Sequence, residues 1–134
     1  MTEGILRTAD VFKREYLHVT AGTTVLPMAS VKLKIQDRSV QSAGYGNGPI
    51  DAAFNTIANL TGTESELLRF SISALTGGTD AQGEVTVRLR ENGLTALGKG
   101  ADPDIITASA RAYVNGLNRL EYLKSHPVKE AAGL

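Results

Sequence analysis

"SVKLKIQDRSVQSAGYGNGP", residues 30–49, decides the fold, because its pattern is written a second time as "EVTVRLRENGLTALGKGADP", residues 84–103. At one constant offset Val31 meets Val85, Leu33 meets Val87, Ile35 meets Leu89 and Asp37 meets Glu91. Gly44, Gly46 and Pro49 likewise meet Gly98, Gly100 and Pro103. Further along, "AAFNTIANL" from Ala52 aligns with "AYVNGLNRL" from Ala112 at a larger offset, which predicts extra residues near the start of the second helix. Two copies are too few for a solenoid, where about three or more repeats are needed. A pseudo-two-fold pair is the simpler arrangement.

Each copy reads strand, strand, strand, helix. In "SVKLKIQ", Val31, Leu33 and Ile35 alternate with polar residues, and "EVTVRLR" repeats this with Val85, Val87 and Leu89, the period of a strand with one wet face. A further strand precedes each block, "LHVTAGT" from Leu17 and "ISALTGG" from Ile72; in "LLRFSISAL" the apolar set is Leu68, Phe70, Ile72 and Ala74. Asn92-Gly93 is the dipeptide that best suits a type I′ hairpin, while "QDRSVQS" holds the matching place with a less decisive turn. Ala53, Phe54, Ile57 and Leu60 form one helical stripe, and Ile106, Ala110, Tyr113, Val114, Leu117 and Leu120 another. Pro49 and Pro103 suit the first helical position, with Asp102 as an N-cap. The expected fold is therefore α+β, one domain over 1–134 with two βββα units at about 10–62 and 66–124, antiparallel strands and two helices packed on the sheets.

The chain has 134 residues, enough for one core without a staple, and its 14 basic and 14 acidic side chains cancel. No net field draws in nucleic acid or an anionic membrane. Cysteine is absent, which removes disulfide and thiolate chemistry and suits a reducing compartment, so cytoplasm is expected. "MTEGILRTADVFKREYL" scatters charges and carries neither a signal peptide nor a membrane span. His18 and His126 are the only histidines and lie too far apart in sequence for a metal site. Ser109 reads as a packing residue, and no nucleophile, base and orienting acid fall into a catalytic spacing. Lys32, Lys34, Arg88 and Arg90 alternate on wet strand faces with no aromatic among them, which describes a solvated surface.

The glycine loops admit two readings. A glycine loop that opens a helix leaves backbone N–H groups facing outward at the positive end of the helix dipole, where a carboxylate or phosphate can sit. Equally, the glycines can serve only tight turns and close helix packing. The dinucleotide fingerprint and the P-loop both fail on spacing and on the hairpin context. Ile50 and Asp51 in the first helical turn add an apolar contact and a carboxylate, so side chain, carboxylate and ammonium of a free amino acid would each find a partner. Asp51 also compensates the dipole, worth about 0.3 to 1 kcal/mol.

"GYGNGPIDAAFNTI" followed by "GKGADPDIITASARAYVNGLNRL" resembles the C-terminal regulatory domain of 2-isopropylmalate synthase, with citramalate synthase as close kin, over about Asp10 to Leu123. The resemblance implies a dimerising domain of two βββα units that binds the pathway's end product, L-leucine, to inhibit a metal-dependent catalytic barrel carried by the same enzyme. It implies no catalytic residue, cofactor or metal in this chain. Its implied ligand contacts are Gly46, Gly48, Ile50 and Asp51 in the first loop. Leu67, Phe70 and Ala74 follow on the next segment, with Ala81 beyond it, and Ala101 and Pro103 in the second loop. Small residues at 74 and 81 resemble leucine-responsive relatives more than isoleucine-responsive citramalate synthases. A purely structural dimerisation module is the rival expectation.

Overall fold

The computed structural model describes residues 10–74 and 81–126. In chain order the elements are β1 (Phe12–Thr20), β2 (Met28–Ile35), β3 (Arg38–Tyr45), α1 (Pro49–Thr61), β4 (Glu66–Ala74), β5 (Gly83–Glu91), β6 (Leu94–Asp102) and α2 (Ile105–Ser125). Strands pair β1-β2-β3 and β4-β5-β6 in two antiparallel sheets, each followed by its helix. The fold is α+β, built from two βββα units. The strand expected from Leu17 begins earlier, at Phe12, and ends at Thr20.

Both central strands bury the face that their alternation marked: Val31 and Leu33 in β2 and Val85, Val87 and Leu89 in β5 are fully enclosed, joined by Ala29, while Ile35 at the end of β2 is half-buried. The cause is that each central strand is paired on both edges and covered on one face by a helix. α1 lies on β2 and β3, α2 on β5 and above all on β6. The two helices meet where the Phe54 ring stacks on Tyr113 with centroids 4.4 Å apart.

The internal repeat survives in three dimensions. Each opening strand carries a bulge at the matching place, between Arg14 and Tyr16 in β1 and between Leu67 and Arg69 in β4. Asn55 of α1 donates to the Tyr45 carbonyl at 3.1 Å, and its aligned mate Asn115 of α2 donates to the Lys99 carbonyl at 2.6 Å. In the β5–β6 turn Asn92 (φ 53°) and Gly93 (φ 81°) are both left-handed, as a type I′ hairpin requires. The β2–β3 turn places Gln36 at φ 57°, a left-handed position that its residue type does not advertise.

Three expectations are corrected. Ala29 stands opposite Gly44 while Val87 stands opposite Gly98, so the offset that superposes the glycines does not superpose β2 on β5. The discrepancy is even, which keeps every buried residue on its face. α2 starts after Pro103: its N-cap is Asp104, whose carboxylate accepts from the Thr107 N–H at 3.0 Å, while Asp102 accepts from the Asp104 N–H at 2.9 Å. Finally, α2 has 21 residues to the 13 of α1, and the excess falls at both ends rather than near the start alone.

That length breaks the symmetry. α2 reaches across to β1, where Asn118 accepts from the Phe12 N–H at 2.8 Å and donates to the Phe12 carbonyl at 2.9 Å. The aligned residue on α1 is Ala58, which can do neither. Both helices pack on β1, and among the described residues neither lays its backbone on β4.

Candidate functional site

Gly46, Gly48, Ile50 and Asp51 lie together at the β3–α1 junction. The glycines there differ. A Cβ on Gly46 would drive into the backbone of Asp51 and Ala52, so this glycine lets strand and helix touch. A Cβ on Gly48 would meet nothing within 4 Å. Gly48 is the N-cap of α1 with extended backbone (φ −159°) and no side chain to bond the first helical N–H groups. The amides of Gly48, Ile50 and Asp51 have no backbone acceptor among the described residues. Asp51 is exposed; its Oδ2 accepts from the Asn47 N–H at 2.9 Å and from Asn55 Nδ2 at 3.4 Å, which fixes the carboxylate at the rim of this opening.

The second helix start is closed by comparison. Asp104 accepts from both the amide and the hydroxyl of Thr107, the latter at 2.6 Å. That hydroxyl bond, aided by the helix amides, holds the Asp104 pKa below the ordinary carboxylate value. Gly98 and Gly100 are spent on packing, since a Cβ on either would strike the α2 backbone around Ala112. The two glycine loops are thus unequal: the first helix start has no side-chain cap, while the second has Asp104 to hold the Thr107 amide. Ala101, half-buried, is the last residue but one of β6 and stands opposite Glu84, and Pro103 is exposed.

β4 completes the set. The bulge puts two residues against one, so Leu67 rather than Leu68 stands opposite Leu89, followed by Phe70 opposite Val87, Ile72 opposite Val85 and Ala74 opposite Gly83. Leu67, Phe70 and Ile72 therefore share the helix-side face of the sheet. Sequence alternation predicts half-burial there, with Leu68 in the row; instead Leu67 is 42% and Ile72 48% exposed, because no helix covers this strand. Phe70 alone is partly covered, its ring meeting Phe54 edge-on at 5.9 Å. Ile50 lies one turn before Phe54 on the same face of α1, so the open helix start and the bare strand flank one another through these two rings. Ala81 is exposed ahead of β5, at the end of the sheet where Ala74 and Gly83 pair; residues 75–80 of the expected loop lie outside the described residues.

Nothing in the described residues gathers three or more His, Cys, Asp or Glu side chains around a possible metal ion. No described helix is long and apolar enough to cross a membrane. Sequence reasoning missed the closed state of the second loop, although Asp104 three residues before Thr107 is a capping spacing that could have shown it.

Among the described residues an uncapped helix start stands beside an uncovered apolar strand on a twice-repeated βββα unit, which defines a small α+β domain with an apolar face open to association. The chain belongs to the LeuA allosteric (dimerisation) domain family, whose model matches residues 1–121. It is 51% identical over 122 residues to a 2-isopropylmalate synthase of Syntrophus aciditrophicus (strain SB), a match covering 91% of this chain and 24% of that protein. A 2-isopropylmalate synthase of Nitratidesulfovibrio vulgaris (strain DSM 19637 / Miyazaki F) is 50% identical over 129 residues, 96% of this chain and 25% of that one. The chain thus spans about a quarter of the length of the curated relatives that it matches.

Proposed function

We propose that this chain is the feedback-regulatory part of a 2-isopropylmalate synthase: it binds L-leucine, dimerises, and passes the bound state to the catalytic barrel of the same enzyme. The observation that carries this reading is the open start of α1. Three unpartnered amides at the positive end of a helix suit a carboxylate, Asp51 offers an acceptor for an ammonium, and Ile50 with the bare β4 row offers an apolar wall. The pocket is completed by Leu67, Phe70, Ala74, Ala81, Ala101 and Pro103, partly from a second copy. Inhibition then follows by linkage, because an effector that prefers one arrangement of the dimer stabilises whatever barrel state goes with it. The domain works without a cofactor of its own, in the cytoplasm where leucine is made.

Calorimetry with leucine, isoleucine and valine tests this, run beside a mass measurement of the oligomer. Leucine is expected to bind most tightly and, at about 100 times its dissociation constant, to raise stability by about 2.7 kcal/mol. Tighter isoleucine binding would favour the regulatory domain of a citramalate synthase. The packing role of Gly46, Gly98 and Gly100 favours a second reading, a structural dimerisation module, for which all three amino acids give no heat.

A further inference from the structure

Where α2 crosses β1, an open cleft of about 220 Å³ is lined by the cations Lys13, Arg14 and Arg111, one carboxylate, Asp10, and by Phe12, Val114, Asn115 and Asn118. Phe12 and Val114 are buried and form an apolar floor. The polar lining is less balanced. Asn115 and Asn118 are already engaged with the Lys99 and Phe12 backbone. Arg14 stands on the helix-side face of β1 opposite Leu33, half-buried, with no ion pair or side-chain hydrogen bond among the described residues. In the second unit the same bulge-side position is Leu67, an apolar residue. Among the described residues Arg111 makes one ion pair, with Asp102 at 3.5 Å, a loose contact that engages few of its N–H donors, and Asp102 also accepts from the Asp104 amide.

Arg14, half-buried, and Arg111 line the same cleft, so two like charges share it with the single carboxylate of Asp10. Burial first and the Arg111 charge second depress the Arg14 pKa, with Asp102 only partly compensating. A ligand of opposite charge offsets both effects by pairing with the guanidiniums, and paired arginines match the planar fork of an oxyanion.

The geometry points to a second ligand site, distinct from the α1 start: the β1–α2 cleft binds a small oxyanion, a carboxylate or a phosphate, between Arg14 and Arg111. The apolar floor makes room for a short aliphatic tail on a carboxylate. This site goes beyond the leucine reading and does not depend on it.

The test titrates orthophosphate and isobutyrate separately into the 134-residue chain at fixed ionic strength, with chloride as the reference anion, following amide resonances. At least one probe is expected to bind saturably and shift Phe12, Lys13, Val114 and Asn118. Binding of phosphate alone identifies a phosphate site; binding of isobutyrate identifies a carboxylate site. Arg14→Gln and Arg111→Gln are each expected to weaken binding about tenfold or more, whereas Lys34→Gln, on the exposed surface of β2, leaves it unchanged. Arg14→Lys and Arg111→Lys keep the charge but lose the fork, so they serve where a glutamine variant does not fold, and they too are expected to bind more weakly. Saturation no better than chloride, or folded arginine variants that bind like the parent, would overturn the site. Gly48→Asp, which should silence leucine, is expected to leave anion binding intact, so the two readings fail separately.

Discussion

A single methyl group separates the two kinds of glycine in the loops. At Gly98 the added carbon would strike the Ala112 carbonyl and the Gly116 backbone, neither of which can retreat without moving α2 off β6. Gly98→Ala is therefore expected to cost about 3 kcal/mol in urea unfolding, as overpacking does. At Gly48 there is open space and an N-cap position that accepts aspartate well, so Gly48→Asp should match or slightly exceed the parent in stability. Its carboxylate would occupy the amides offered to an effector, and leucine should then give no calorimetric heat. Gly46→Asp is unsuitable as the same test, because it breaks the strand–helix contact before it tests binding. Asp104 supplies a pH dependence. Its pKa is lowered in the folded state, so its contribution is complete above the unfolded aspartate value near ~3.9 and is lost as pH falls through the folded value. Asp104→Ala should cost about 1 kcal/mol near neutrality, and the gap between parent and variant should close on acidification toward and below that folded value, as seen in unfolding curves taken across pH.

Among the elements, α2 is the one that ties the two units together, and it does so through the Asn118 amide on the edge of β1. Asn118→Ala leaves the Phe12 N–H and carbonyl without partners in a half-buried setting. A loss of about 1 to 3 kcal/mol is expected, with faster hydrogen exchange at Phe12 as the local sign. Asn55→Ala, which removes exposed bonds to the Tyr45 carbonyl and to Asp51, should cost less. The elements themselves were legible where chemistry is local. Asn92-Gly93 announces its turn through left-handed tolerance, and the alternations in β2 and β5 mark the faces that are buried. What stayed hidden depends on partners distant in sequence: the bulge that puts Leu67 in place of Leu68 opposite Leu89, and the reach of α2 past its own sheet. The loop glycines were visible as a pair, but only the neighbouring backbone separates the packing glycines, Gly46, Gly98 and Gly100, from Gly48, which borders open space.

On the scale of the molecule, the broken symmetry assigns a consequence to β4. A strand that turns Leu67, Phe70 and Ile72 toward the helix side, yet is left bare, is a cost to an isolated protomer and a gain to one that meets a second copy. In a two-fold dimer the same row is presented twice, so one substitution acts at two places in the interface. Ile72→Asp is expected to preserve the protomer, since a side chain already 48% exposed adds little to the core. Circular dichroism and the urea midpoint measured on monomer should be close to the parent's. Sedimentation should show monomer at concentrations where the parent is dimeric, because a buried carboxylate without a partner is strongly penalised at an apolar interface. If leucine rests between protomers, its heat must fall in step with dimerisation, and it must return when protein concentration is raised enough to restore the dimer. A dimer that survives Ile72→Asp moves the interface away from β4; heat that persists in the monomer places the effector within one chain, leaving the α1 start to hold it alone.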